Sequence, residues 1–301
     1  MKQQISIMKK LLFLIVICFA TIAQLYAQGI IINKTDGTKV YFPADQVASI
    51  STYGYGEGPQ TIEYDTQTFT ANGVSFAMVA VEGGVFQMGS DDSDAYVRGE
   101  PVHQVKLSSY SIGQTEVTQE LWEAVMGSNP SNFKGLKRPI EKVSWNDCQT
   151  FITKLNALTG QHFRLPTEAE WEFAARGGVK SQGYKYAGSN TIDDVAWYTV
   201  NSYDVGSSDP NYGTHEVGTK QPNELGIYDM SGNVYEWCQD WYGSTYYSSS
   251  VINNPAGPDT GSRRVHRGGS WHSSAGNCRV ANRNGDSPAY TYIGLGLRLA
   301  L

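Results

Sequence analysis

Alternating apolar and polar residues predict short strands in the first part of the chain. Residues 30–32 and 40–42 are strand-like, and Asp36-Gly37 between them is a hairpin turn signal. A second pair of predicted strands, residues 68–70 and 74–79, flanks Asn72-Gly73. Three further short strands are expected at residues 85–89, 105–107 and 110–113. This pattern is typical of small antiparallel sheets.

Helical periodicity appears next, in three segments with clear end signals. Thr118 caps a short helix that ends at Gly127. Ser144 caps the second, which ends at Gly160 and repeats apolar residues at helical spacing. Thr167 caps the third, and Glu170 completes a capping box. From residue 178 onward we expect turns and short strands, so the chain is predicted to be an α+β protein with limited regular secondary structure.

The N-terminus has the pattern of a targeting signal. Lys9 and Lys10 precede a short apolar run at residues 11–20, and Leu25-Tyr26-Ala27 fits a signal peptidase site. We therefore predict a signal peptide at residues 1–27 and a secreted, periplasmic or cell-envelope location. A lipoprotein signal at Cys18 is a weaker alternative, because Ile17 occupies a position that requires a small residue.

Domain organisation follows from composition along the chain. A small β-hairpin unit and linker are expected at residues 28–60, followed by one large domain at residues 61–301. The chain is 40% hydrophobic and 17% charged, with 32 Gly and 19 Tyr, which favours a loop-rich globular protein. Its net charge of −6 provides no basic footprint for nucleic acid. No segment after the signal is long and apolar enough for a transmembrane helix.

The segment from Asp229 to Glu236 combines features of an oxygen-ligand cation loop. The two carboxylates are hard ligands, and Gly232 lets the backbone turn. The alternative is a capped turn beside an aromatic-supported strand. Because the spacing differs from an EF-hand, the residues by themselves leave both interpretations open.

Several segments in order resemble the formylglycine-generating enzyme, or sulfatase-modifying factor, family. The resemblance covers roughly residues 65–301. The segments that carry it are residues 86–90 (FQMGS), 100–103 (EPVH), 116–118 (EVT), 143–147 (VSWND), 164–172 (RLPTEAEWE), 225–237 (LGIYDMSGNVYEW), 267–271 (RGGSW) and 296–298 (GLR). The resemblance implies a C-type-lectin-like fold with structural calcium. It suggests that Asp229, Glu236 and the carbonyls of Gly232 and Val234 are the calcium ligands.

In the family that this sequence resembles, a pair of cysteines binds copper, and this chain has other residues at the matching positions. The matching stretch here is residues 280–283 (VANR), which places Val280 at the second cysteine and Ala275 at the first. Thiolates select copper(I), and neither of these side chains can replace them. Cys278 lies nearby but is displaced from the pair. Cys278 would be the catalytic residue only under the alternative hypothesis that the protein is an active metal-dependent oxidase.

Three cysteines follow the signal, and two of them suggest a disulfide. A bond between Cys238 and Cys278 would close a loop of about 40 residues and contribute roughly 4 kcal/mol. The alternative is two buried free thiols. Cys148 lies on the apolar face of its helix and is expected to be an inert core thiol.

Acid–base chemistry is not expected at Glu168, Glu170 or Glu172, because helix capping and the helix dipole account for the first two. His266 and His272 are close in sequence, but a turn at residues 268–269 separates them and argues against a metal pair. An aromatic cluster follows the proposed cation loop and could stack on a peptide or sugar. It comprises Trp237, Trp241, Tyr242, Tyr246 and Tyr247.

Three functions remain possible from the sequence. The first is an exported domain that lacks formylglycine oxidase activity and binds a protein or glycan partner. The second is an active formylglycine-generating or other metal-dependent oxidase. The third is a structural component of a cell-envelope assembly.

Overall fold

The computed structural model describes the chain over four ranges, which are residues 29–33, 39–43, 64–91 and 101–301. The chain divides into two compact units, residues 1–62 and residues 63–301. The predicted signal peptide, the Asp36-Gly37 turn, the linker and Glu100 lie outside the described residues. Among those that are described, no helix combines the length and apolar character needed to cross a bilayer.

The first unit contains the predicted hairpin strands. Strand β1 (Gly29–Asn33) pairs antiparallel with β2 (Lys39–Pro43), and Ile31 lies opposite Tyr41. The two apolar runs therefore meet as the sequence pattern indicates.

The second unit contains three small sheets. Strands β3 (Thr66–Ala71), β4 (Val74–Val81) and β7 (Tyr110–Gly113) form an antiparallel sheet, while β5 (Val85–Met88) pairs with β6 (His103–Lys106). The third sheet has the order β10-β9-β8-β11. Its strands are β8 (Tyr235–Trp241), β9 (Arg264–Arg267), β10 (Arg283–Asp286) and β11 (Leu295–Leu297). Only the β8–β11 pair in this sheet is parallel.

The three predicted helices are confirmed, with their caps. They are α1 (Gln119–Met126), α2 (Trp145–Thr159) and α3 (Glu168–Ala175). Ser144 and Thr167 each form a capping box, which satisfies backbone N–H groups that the first turn leaves free. After residue 178 the described chain has only short helical segments, including α4 (Ile192–Val195). The second unit is thus a mixture of helix and sheet with long irregular connections.

Helix α3 is almost entirely buried, and its buried side chains are charged as well as apolar. Glu168 and Glu172 are 2% and 0% exposed. Both oxygens of Glu168 accept hydrogen bonds from Arg283, at 2.7 and 2.6 Å. Glu172 pairs with Arg267, which is fully buried, and with Arg176 on the same helix. Buried ion pairs therefore fix the helix to β9 and β10.

We predict that Glu172→Gln lowers the free energy of unfolding by about 3 kcal/mol, because it leaves the buried Arg267 guanidinium without its anion. Urea denaturation monitored by tryptophan fluorescence measures the loss. The matched control is Glu170→Gln, whose carboxylate pairs with the part-exposed Arg164 and caps α3. There the expected loss is about 1 kcal/mol. Equal losses in the two variants would contradict a special role for the buried pair.

Candidate functional site

The turn that leads into β8 is held in a conformation that requires glycine at one position. Asp229, Gly232 and Asn233 have positive φ values of 61°, 84° and 56°. A Cβ atom on Gly232 would lie 2.2 Å from the carbonyl oxygen of Trp197. The amide of Gly232 donates to Gly268, and that of Asn233 donates to Trp197, both at 2.8 Å. The segment singled out from sequence is therefore tied to two distant loops.

Three buried carboxyl groups meet beside this turn. Glu236 accepts from Arg298 on both oxygens, at 2.7 and 2.9 Å, and from the Trp171 indole at 2.7 Å. Asp229 accepts from an amide at 2.7 Å. Glu116, which the motif analysis left without a role, accepts from the Asn233 side chain and the next amide. This carboxyl cluster is thus Glu116, Asp229 and Glu236, with Arg298 facing it.

The charges in the carboxyl cluster are not balanced by Arg298. Burial raises the pKa of Asp229 to about 6. Burial, followed by the charges of Asp229 and Glu236, raises the pKa of Glu116 well above its usual value. A bound cation would relieve the same excess of negative charge. Over the described residues no group of three His, Cys, Asp or Glu side chains has the arrangement of a metal site.

The donor set around the turn suits a hard cation in chemistry and charge. Asp229 and Glu236 carry carboxylate oxygens on one short segment, and the predicted ligand set takes its other donors from backbone carbonyls. However, Glu236 is already engaged by Arg298, so a cation would share that carboxylate with the guanidinium.

The cysteines are not bonded to one another. Cys148, Cys238 and Cys278 are all buried free thiols, which corrects the predicted Cys238–Cys278 disulfide in favour of the alternative. The physical reason is that Cys238 and Cys278 pack in different apolar clusters. Burial raises the pKa of Cys278 to about 12, so this thiol is not prepared to form a reactive thiolate.

Ala275 and Val280, which the sequence resemblance aligns with a reactive cysteine pair, lie close to Cys278 in the chain. Ala275 begins a short 3-10 helix, Ala275–Cys278, and is half-buried. Val280 is 2% exposed and belongs to the core cluster that contains Cys238. Neither side chain can ligate a metal.

The aromatic residues that follow the turn are used in packing. Trp237 and Tyr247 are buried, and Trp241, Tyr242 and Tyr246 are half-buried. The guanidinium of Arg283 lies over the rings of Tyr242 and Tyr247, and that of Arg264 lies 3.5 Å from the Trp241 centroid. This cluster therefore stabilises the arginines of β9 and β10, and it does not form the most exposed aromatic surface.

A different set of residues surrounds a groove of about 320 Å³. The groove is lined by Tyr235, His266, His272, Ser273, Ser274, Asn277, Asn284, Asp286, Tyr290, Tyr292 and Leu295. It adjoins the 3-10 helix that begins at Ala275. His266 and His272, which the turn at residues 268–269 separates in the chain, both line this groove.

His272 joins the groove to a second group of aromatic rings. Its Nδ1 atom lies 2.8 Å from the Ser270 hydroxyl, and its Nε2 atom hydrogen-bonds the Tyr292 hydroxyl. Burial lowers the pKa of His272, which favours the neutral ring. Tyr203 contacts both His272 and Trp271.

Sequence reasoning did not bring these groove residues together, because they come from four different strands and from separate loops. Tyr290 and Tyr292 are two positions apart and stack with an interplanar angle of 14°. Alternation of tyrosines in a polar segment was the available signal for that pair. No local pattern connects them with Tyr203, which lies at the end of a short helical segment (Thr199–Tyr203).

Glu141 is a buried carboxyl group that binds the backbone next to one of the aromatic rings. It is 0% exposed and accepts hydrogen bonds from the amides of Asn132 and Phe133. The Phe133 ring packs edge-on against Trp271 with centroids 5.0 Å apart. Burial raises the pKa of Glu141 to about 7, and its second oxygen has no hydrogen-bond partner.

Comparison with known proteins identifies the larger unit. A family model described as a sulfatase-modifying factor enzyme 1-like domain matches residues 65–301. The "Chaperone protein LppX" of Paenibacillus barcinonensis is 37% identical over an alignment of 251 residues, which covers 69% of this chain and 83% of that protein. The formylglycine-generating enzyme of Streptomyces coelicolor is 31% identical over 284 residues, covering 74% of this chain and 88% of the enzyme.

Two solved structures resemble the chain. Treponema denticola variable protein 1 superposes with a TM-score of 0.68 at 37% identity, covering 78% of this chain and 98% of that one. PvdO from Pseudomonas aeruginosa gives a TM-score of 0.65 at 26% identity, covering 80% and 99%. The similarity extends over almost the full length of both solved chains.

We predict that Glu141→Gln becomes more stable relative to the unmutated protein as the pH rises from 5 to 8. The folded-state pKa of Glu141 is raised, so the folded protein loses stability by about 1.4 kcal/mol per pH unit between its unfolded and folded pKa values. Glutamine does not titrate, and its carbonyl can still accept from Asn132 and Phe133. Urea unfolding at pH 5 and pH 8 measures the difference.

The control for this prediction is Glu123→Gln, a substitution of an exposed carboxylate on α1. Its stability relative to the unmutated protein should be nearly independent of pH. If the relative stability of Glu141→Gln is also independent of pH, ionisation of the buried Glu141 carboxyl does not destabilise the folded protein, and the prediction is wrong.

Proposed function

This chain belongs to the sulfatase-modifying factor family, and we propose that within this family it acts by binding a protein or glycan partner and not as a formylglycine oxidase. The proposal places the protein outside the cytoplasm, secreted, periplasmic or in the cell envelope, on the basis of the signal pattern in residues 1–27. It also assigns the domain a C-type-lectin-like fold, as membership of the family implies.

The observation that supports the loss of oxidase chemistry is the state of the cysteines. The family's oxidase uses two thiols together, and the corresponding positions here hold Ala275 and Val280. Cys278 is fully buried, its pKa is raised to about 12, and Cys148 and Cys238 pack in other clusters. Soft thiolate pairs are what bind copper(I), so the described cysteines do not supply that site.

Binding is supported by the groove beside the 3-10 helix. It combines tyrosine rings with amide, hydroxyl and carboxylate groups, and such a mixture orients a ligand through a few polar contacts. The chaperone name of the Paenibacillus relative is in line with a binding role.

The proposal includes a structural calcium ion in the turn before β8. Asp229, the carbonyls of Gly232 and Val234, and the carboxylate of Glu236 would hold it. The uncompensated charge of the carboxyl cluster supports this assignment, since a divalent cation supplies the positive charge that Arg298 alone does not. The ion would order the turn and take no part in bond making or breaking.

We expect no aldehyde when the purified protein is incubated with copper and a peptide that contains a Cys-x-Pro-x-Arg segment. Mass spectrometry of the peptide measures the product, and the Streptomyces coelicolor enzyme serves as the positive control. Formation of formylglycine above a metal-free control would overturn the proposal. Loss of that product in Cys278→Ser would then assign the activity to Cys278.

Calcium should raise the melting temperature of the unmutated protein but not that of Asp229→Asn, because the amide cannot supply the charged ligand. Differential scanning fluorimetry after chelation, with and without added calcium, provides the measurement. Asp204→Asn, which removes an exposed carboxylate, should retain the full calcium response. An unmutated protein with the same melting temperature in both conditions would contradict the calcium site.

A further inference from the structure

We propose that the ligand of the groove is a neutral oligosaccharide. This inference rests on the binding function proposed above and names its ligand class. Four observations support it, namely a line of aromatic rings that is exposed at Tyr203 and Tyr290, a lining without lysine or arginine, polar groups suited to hydroxyls, and the lack of an open apolar pocket.

The aromatic rings form a continuous line, which we call the aromatic strip. It runs through Tyr290, Tyr292, His272, Tyr203 and Tyr212, and successive ring centroids lie 6.3, 5.1, 6.3 and 5.7 Å apart. Tyr203 is 46% exposed and Tyr290 is 43% exposed. Rings spaced in this way can contact the C–H faces of successive sugar units, because aromatic faces are both apolar and weakly negative.

The charge of the groove disfavours an anionic ligand. Among the described residues that line it there is no lysine or arginine, and the one acidic side chain is Asp286. The pKa of His272 is lowered, so its ring stays neutral at pH 7. A phosphate, sulfate or uronate would therefore meet the Asp286 carboxylate in a lining that offers neither lysine nor arginine.

The polar groups of the groove match the hydroxyls of a sugar. Asp286 has a 42% exposed side chain, and its Oδ2 atom lies 3.0 Å from Nε2 of His266. That contact orients the carboxylate while leaving part of it open to solvent. Asn277 lines the same groove, and its side-chain amide combines donor and acceptor atoms. Planar carboxylate and amide groups can each hydrogen-bond neighbouring hydroxyl groups on one sugar ring.

The lining does not provide side-chain pockets for a peptide ligand. Even peptides that add to a sheet edge take their specificity from pockets for alternate side chains. Within the described lining the aliphatic contribution is Leu295, which is 1% exposed and so offers no pocket. The groove therefore has rings and hydrogen-bonding groups but lacks an apolar recess.

The test is isothermal titration of the full mature protein with neutral oligosaccharides of about six units, including gluco-, xylo-, manno- and N-acetylglucosamine series. Binding of at least one series is expected, and Tyr290→Ala should weaken it roughly tenfold because a stacking ring is lost. Tyr290→Phe keeps the ring and should bind within about twofold of the unmutated protein. Tyr184→Ala, outside the strip, should leave the affinity unchanged.

Two results would overturn the inference. The first is failure of every neutral series while a sulfated oligosaccharide or an extended peptide binds and is weakened by Tyr290→Ala; the groove would then be a binding site for another class of ligand. The second is neutral binding that Tyr290→Ala does not change. Aldehyde formation in the copper assay tests the proposed function separately and does not depend on either result.

Discussion

The larger unit depends on three buried arginines, Arg267, Arg283 and Arg298, which pair with carboxylates far away in the chain. The hydrogen-bonded partners of Arg267, Arg283 and Arg298 are 95, 115 and 62 residues distant. A buried guanidinium is costly unless its anion is in place, so the pairs tolerate few alternative arrangements of the chain. Loops that have little regular structure of their own are thereby held in one position.

Local signals predicted the helices because their determinants lie within a few residues. Ser144 and Thr167 cap their helices through side chains three positions away, and the sequence shows both partners. The same local reasoning was incomplete for Glu168 and Glu172. A helix-dipole role was sufficient to explain Glu168 in the sequence, yet its partner Arg283 comes from β10. Pairing at such distances depends on tertiary packing, which periodicity does not encode.

In the candidate site, too, local sequence signals predicted some residues and missed others. Gly232 was recognisable as a turn residue, whereas the approach of Glu116 and Arg298 to that turn was not. Tyr242 and Tyr247, which follow the turn, pack against Arg283 of β10, whereas the exposed rings of Tyr203 and Tyr290 come from two distant segments. The Cys238–Cys278 disulfide was predicted from the stability that closing a loop of about 40 residues would provide. In the fold each thiol packs in its own apolar cluster, and no local sequence signal encodes that separation.

The exposure of Tyr203 and Tyr290 has a consequence for how such a protein can diversify. Both side chains are exposed and lie outside the buried ion pairs, so replacing them is expected to cost little folding free energy. Substitutions at these two positions would alter the proposed ligand surface without the compensating changes that a core position demands. Exposed residues of the domain can therefore change what it recognises, while buried residues keep its fold.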